Sequence, residues 1–250
     1  MKFLILVMLF SFSFAKTITA YYNVGYGFFD TVAKAKAVIE LNKNNYHIKI
    51  EAKTAGFMTS FTNRFESFES FGEIKEGEFI PQVFINYRTD GETKKKKTYK
   101  FNHQTKKVFL TYEKDKDGKK SASTKKMKYY AKDDLLTLFF SLKKLLDKNK
   151  ATQKAYAMGA NKKDGHLDII LPDEKKKKTF LELFNKKKGN FIIAIIYRKI
   201  FLSSKGELII NLNNDYLCQE AVLKDVLFYG DIVGTLEKID IDNSSAQKNN

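Results

Sequence analysis

The chain of 250 residues has no tryptophan, two prolines, one cysteine, three histidines and only three arginines. A single cysteine, Cys218, excludes an intramolecular disulfide and any cysteine-based metal cluster, so the fold has to rest on its buried core. Cys218 sits in a strand-like apolar stretch with Tyr216, Leu217, Ala221 and Val222, which predicts an inert buried thiol. A free thiol in an oxidising compartment can also be reactive. Of the 45 basic residues only Arg64, Arg88 and Arg198 are arginine, and the net charge of +16 is therefore carried by lysine. Readers of nucleic acid lean on arginine forks, so nucleic acid is not an expected partner. After the first residues no apolar run approaches the roughly 20 residues that a membrane-spanning helix needs. The nearest, Phe191 to Tyr197, is strand-sized.

The catalytic motifs are also missing. There is no nucleophile elbow, no His-Glu-x-x-His, no phosphate-binding glycine loop and no Cys-His pair at ligand spacing. His47, His103 and His166 are far apart, and His47 alternates with apolar neighbours as a solvent-facing strand residue does. The run Glu113-x-Asp115-x-Asp117-Gly118 imitates half of a calcium loop. Thr124, however, stands where the bidentate glutamate belongs, and Lys114, Lys116, Lys119 and Lys120 oppose a cation. The expectation is a protein that is not an enzyme, with no catalytic residue, metal ligand or cofactor.

What is present begins with an export signal. Met1 to Ala15 carries one lysine, then an apolar run, and ends Ser-Phe-Ala, with Ser13 and Ala15 at the positions a signal peptidase reads. Cleavage after Ala15 would leave one exported β-rich domain over residues 16–242, periplasmic in a two-membrane cell, and a polar tail over 243–250 expected to be disordered. Within the domain, Asp133 to Lys148 is the long segment whose apolar residues recur at helical spacing. Leu135, Leu138, Phe139, Leu142, Leu145 and Leu146 follow that spacing, and Leu136 and Phe140 widen the apolar arc to roughly 200°. Asp133 and Asp134 suit its N-terminus, and Lys143, Lys144 and Lys148 its C-terminus.

The remainder alternates as strands do. Thr17–Tyr26, about Asp30–Leu41 and Tyr46–Thr54 come first, and Ala33, Ala35 and Ala37 make one face of the second small enough for another layer to approach closely. A short helical turn and then a strand are expected between Gly56 and Ile74. Asp-Gly pairs at Asp90, Asp117 and Asp164 predict hairpin turns between runs such as 82–89, 98–101 and 107–113. After the helix come strands at 153–158, 166–171, 179–184, 191–201, 207–212, 217–228 and 231–239. The lysine clusters at 94–97, 119–120, 125–128, 175–178 and 186–188 read as solvated hairpin ends, in a Lys- and Asn-rich composition that also suits an AT-rich genome.

These pieces together resemble the exported bacterial proteins grouped as domain of unknown function 3108. The resemblance rests on Tyr22-x-Val24-x-x-Gly27-Phe28-Phe29, the segment Glu51 to Gly56, Phe79-x-Pro81-x-x-Phe84 with Arg88, and Tyr99-x-Phe101. It continues through Asp134-Leu135-Leu136-x-Leu138-Phe139-Phe140 and the ending from Asp215 to Gly230-Asp231-Ile232-Val233. The chain departs from the pattern at Asn102, where an acid is expected, and at Cys218-Gln219-Glu220, near an expected proline. The resemblance implies a mainly β (α+β) fold, a large curved antiparallel sheet or half-barrel wrapped around one central helix, and it brings no catalytic residues.

Two functions fit these observations. One is a non-enzymatic periplasmic carrier or chaperone for a lipid-like or apolar ligand, with Arg64 or Arg88 meeting an anionic head group and Phe139 and Leu142 flanking the apolar part. In that reading a cavity should lie beside Phe139 and Leu142. Local acids, Glu66 and Glu69 for Arg64 and Asp90 for Arg88, equally allow structural ion pairs. The other is a basic envelope protein whose lysine clusters contact anionic lipid or polysaccharide at the membrane periphery. The sequence leaves the oligomeric state open.

Overall fold

A computed structural model describes residues 15–26, 29–161, 163–197, 206–226 and 230–243. The signal segment up to Phe14, Gly27 and Phe28, Arg198, the expected strand ends at Phe201 and Phe228, and the tail from 244 onward lie outside the described residues.

Alternating side chains produce strands almost throughout. They are β1 (Lys16–Tyr26), β2 (Phe29–Leu41), β3 (Asn45–Thr54), β4 (Arg64–Lys75), β5 (Glu78–Asp90), β6 (Thr93–Asn102), β7 (Lys107–Lys116), β8 (Lys119–Lys126) and the two-residue β9 (Asp133–Asp134). After two short helices, α1 (Leu135–Phe140) and α2 (Leu142–Leu145), follow β10 (Thr152–Met158), β11 (His166–Ile170), a third helix α3 (Glu174–Leu183), β12 (Asn190–Ile196), β13 (Glu207–Leu212), β14 (Cys218–Val226) and β15 (Gly230–Asp242). A 3-10 turn at Gly56–Ser60 links β3 to β4, as expected. The Asp117-Gly118 hairpin has both residues at positive φ, 53° and 77°, the backbone that a two-residue turn between twisted strands demands.

All fifteen strands form one sheet, in the order β8-β7-β6-β5-β4-β3-β2-β1-β15-β14-β13-β12-β11-β10-β9. The first eight strands meander outward from β1. The chain then crosses to the far edge and works back until β15 pairs with β1, from Thr17 opposite Asp242 to Tyr26 opposite Ile232. Among the described residues no ladder joins the edge strands β8 and β9, so the sheet is open. The pairing is antiparallel except between β9 and β10, which run parallel and make the sheet mixed rather than wholly antiparallel. Edge strand β8 is exposed along its whole length, and its lysines protect an edge that could otherwise pair with another chain.

Three expectations need correction. The helix over Asp133–Lys148 is instead the two short segments α1 and α2, broken at Ser141, and the chain is extended again at Leu146. The segment 179–184 is not a strand but the second half of α3, which also absorbs the cluster Lys175–Lys178. Asp173 caps it by accepting from the Lys176 N–H at 2.8 Å, and Phe180 and Phe184, one helical turn apart, pack on Phe191. The clusters at Lys94–Lys97 and Lys125–Lys126 run along β6 and β8 and are not hairpin ends, whereas Lys119–Lys120 opens β8 directly after the Asp117-Gly118 turn, as expected.

The core has three parts. On one face of the first wing, β1 to β8, Ile39, Ile48, Phe84, Tyr99 and Val108 bury together with Leu136 of α1; the second wing is β9 to β15. On the same face of the second wing, Leu167, Ile192, Ile210 and Leu212 bury with Leu138 and Leu142. The opposite face of β12 to β14, with Ile193, Ile209 and Val222, is covered by α3. The start of α1 is held by a buried polar group. Asp134 accepts from the N–H groups of Leu136 and Thr137 at 2.8 and 3.0 Å, and Thr137 Oγ1 accepts from the Asp134 N–H at 3.0 Å.

Candidate functional site

The small residues of β2 and β3 are where the walls stay apart. Ala33 and Ala35 on β2 and Ala52 on β3, with Ala221 on β14 and Gly234 on β15, supply too little side-chain volume to fill the space between the wings. A cavity of about 450 Å³ results. Val24, Val32, Ile50, Leu208, Leu223 and Ile232 complete an apolar lining, and Met58 of the 3-10 turn also borders it. The alanines therefore do not bring another layer close; they leave a hollow. Along β2 and β3 the helix-packed residues Ile39 and Ile48 lie towards one end of the strands, and Ala33, Ala35, Ala52 and Thr54 lie towards the other.

Polar groups enter at one border. Arg64, at the start of β4, lines the cavity with Thr54, Thr62 and Asp90. Its position is fixed locally, because its N–H donates to Thr54 Oγ1 at 3.1 Å and Thr54 Oγ1 donates to the Thr62 carbonyl at 3.1 Å. Arg64 Nη2 donates to Glu66 Oε2 at 3.1 Å, and Asn86 Nδ2 reaches Glu66 Oε1 at 3.4 Å. Arg64 Nε is buried and has no hydrogen-bond acceptor. A guanidinium with one edge engaged and a free N–H at the border of an apolar cavity can take an anionic oxygen there.

The other expected site residues are placed elsewhere. Arg88 on β5 stands opposite Glu66 in the ladder and does not line the cavity. Phe139 and Leu142 pack into the second-wing core, where Leu142 is 3% exposed, and neither borders the cavity. The structure thus brings Arg64 to the cavity and separates it from Phe139 and Leu142. The lining alanines were visible in the sequence as a small-residue face; that they border a hollow depends on the distance to β13, β14 and β15.

The three histidines and Cys218 have partners in the structure. Among the described residues, no group of three His, Cys, Asp or Glu side chains could hold a metal ion. His103 bonds Tyr130 and the Pro81 carbonyl, His166 bonds Asp168 at 2.8 Å, and His47 bonds Glu40 at 3.1 Å while stacking on Phe71. Burial pushes the Cys218 thiol up to about 12, and its Sγ donates to the Glu220 carbonyl. No helix among the described residues is long and apolar enough to cross a membrane.

Fold and cavity together define a class: a mainly β protein built on one large open sheet, with an apolar hollow between its wings. The family model described as "Protein of unknown function (DUF3108)" matches residues 19–236, and the chain belongs to that family. No curated protein matches it. Among solved structures it is similar to the crystal structure of a β-barrel-like protein of domain of unknown function DUF1849 from Brucella abortus. Identity is 10%, the TM-score is 0.49, and the match covers 91% of this chain and 98% of that one.

Proposed function

We propose that this protein is a non-enzymatic carrier of the bacterial envelope, exported to the periplasm by the signal at residues 1–15, that holds a lipid-like ligand between the wings of its sheet. In this reading the sheet is a half-barrel, α1 fills one end of its inner space, and the ligand occupies the other. The observation that carries the proposal is the apolar cavity of about 450 Å³ with Arg64 at its border. That volume lies within the range of about 300–1,000 Å³ typical of small-molecule sites, and such sites combine an apolar lining with a few placed polar groups. The ligand then lies apart from Phe139 and Leu142, with Arg64 meeting its polar end. Native mass spectrometry of the protein purified from its own envelope tests this. A co-purifying amphiphile, lost when Ala33→Leu fills the cavity, is the expected result; a bare protein that also fails to take up a dodecyl-chain probe refutes it.

A second reading is favoured by β8, where Lys119, Lys120, Lys125 and Lys126 stand on a fully exposed edge strand. Peripheral contact with an anionic envelope surface through that edge would appear as salt-sensitive binding to anionic vesicles without extraction of lipid.

A further inference from the structure

Beyond the polar border of the cavity, the inward face of the first wing carries a row of like charges. Arg88 on β5 stands opposite Lys95 on β6, and Lys95 stands opposite Lys114 on β7. Four residues further along each strand, Phe84, Tyr99 and Leu110 form a parallel row buried in the core, and no register shift intervenes, so the charged row shares their inward face. All three cations are half-buried, and among the described residues none of them forms an ion pair. The counter-charges on that face are Glu66, already bonded to Arg64 and Asn86, and Asp90, which is exposed.

The outward face of the same strands shows the opposite rule. There Lys94 stands opposite Asp115, and Lys96 stands opposite Glu113. Unlike charges directly opposed across a ladder stabilise the pair and like charges destabilise it. A chain that merely carries many lysines has no reason to match them with acids outside and with further cations inside. On the inward face Arg88 has Glu66 opposite it on its other side, but Lys95 and Lys114 face no acid across the ladder, and an anion lying across the row would offset their repulsion.

We propose that Arg88, Lys95 and Lys114 form a binding row for a phosphate-class anion, which on the carrier reading is the head group of the ligand whose apolar part fills the cavity. Three cations on three adjacent strands span about 10 Å. That exceeds what one carboxylate can bridge and suits a phosphate or diphosphate. The Arg88 fork offers parallel N–H donors to two phosphate oxygens, and the lysines add point charges. Glu66, fixed by Arg64, bounds the row on the cavity side, so a bound ligand would lay its chain between β2 and β14, pass Arg64 with the start of its polar end and place its terminal phosphate on β5 to β7.

Calorimetric titration of the full chain at low salt tests this with dodecyl phosphate, dodecanol and inorganic pyrophosphate. The proteins compared are wild type, the double variant Lys95→Gln/Lys114→Gln, and Ala33→Leu. The double variant should bind dodecyl phosphate and pyrophosphate at least about tenfold more weakly than wild type while dodecanol binding is unchanged. If it binds both phosphates as wild type does, the row is not the site. If dodecanol binds as tightly as dodecyl phosphate and both are lost in Ala33→Leu, the carrier reading stands and the phosphate row is overturned. If pyrophosphate binds as tightly as dodecyl phosphate and Ala33→Leu changes neither, the row stands as a site for free phosphate and the carrier reading fails. Thermal unfolding supplies the folding control. In phosphate-free buffer Lys114→Gln should melt no lower than wild type, because it relieves repulsion, and pyrophosphate should raise the wild-type midpoint by more than the variant's. A lower midpoint for Lys114→Gln in that buffer would overturn the premise.

Discussion

Asp134→Asn should make the protein more stable than wild type at pH 8 but not at pH 4. Asp134 is fully buried at the start of α1. Its Oδ1 accepts from two helix N–H groups, and its Oδ2 accepts from Ser70 Oγ at 2.6 Å, with the Tyr46 hydroxyl a further 3.0 Å from Ser70 Oγ. Burial pushes its carboxyl from 3.8 up to about 7, only partly offset by these hydrogen bonds. Because the folded value is the higher one, the folded state holds more protons than the unfolded state between those two pH values. Stability therefore falls as pH rises through that window and levels off above it. At about 1.4 kcal/mol per unit, a shift of that size costs about 4 kcal/mol above pH 7. Asparagine keeps the acceptor for the helix N–H groups. Its amide can donate to Ser70 Oγ, which then donates to the Tyr46 hydroxyl, so the chain of bonds reverses and each of the three groups keeps a partner, as it does with protonated Asp134. Asp133, also pushed up by burial, to about 6, is present in both proteins and largely cancels in the comparison. Urea unfolding at half-unit steps from pH 4 to pH 8 measures the difference between the two. A difference that does not change with pH, or an asparagine variant as unstable at pH 8 as Asp134→Ala, would refute the reasoning.

Two further outcomes follow from the packing. Leu142→Ala, at a position 3% exposed between α2 and the second-wing strands, should cost about 3 kcal/mol, read as a lower urea midpoint with an unchanged slope. Iodoacetamide at pH 8 should label Cys218 about a thousandfold more slowly in the folded protein than in the unfolded one, since burial holds the thiol protonated. Labelling equally fast in both states would show the thiol to be exposed.

Features that depend on local chemistry could be read from the sequence. Ile18, Ala20, Tyr22 and Val24 alternate as a strand, and the Asp-Gly pairs at Asp90, Asp117 and Asp164 all fall between successive strands. Segments with a weak or doubled local signal mislead. Phe180, Leu181 and Phe184 fit a strand or a helix, and the deciding cue is Pro172-Asp173-Glu174, a helix start that outweighs the lysine run behind it. Strand β8 has no apolar alternation at all and exists because β7 offers it a ladder. The helix stops at Leu145, which is 44% exposed, and Leu146 reaches the second-wing core from an extended backbone, although the periodicity of the segment runs on to it.

The candidate site was the least legible part, because it is built from strand register. Four consecutive lysines at 94–97 look alike in the sequence. Pairing with β5 and β7 divides them, sending Lys94 and Lys96 towards Asp115 and Glu113, leaving Lys95 between Arg88 and Lys114, and setting Lys97 between Asn86 and Tyr112. A slip of one residue would exchange the two faces and pair every inward cation differently. The buried row of Phe84, Tyr99 and Leu110 prevents that slip, since it would carry three large apolar side chains out of the core. The same hydrophobic pattern that fixes the sheet therefore holds three cations together on its inner face, and the cost of their repulsion is borne by the core.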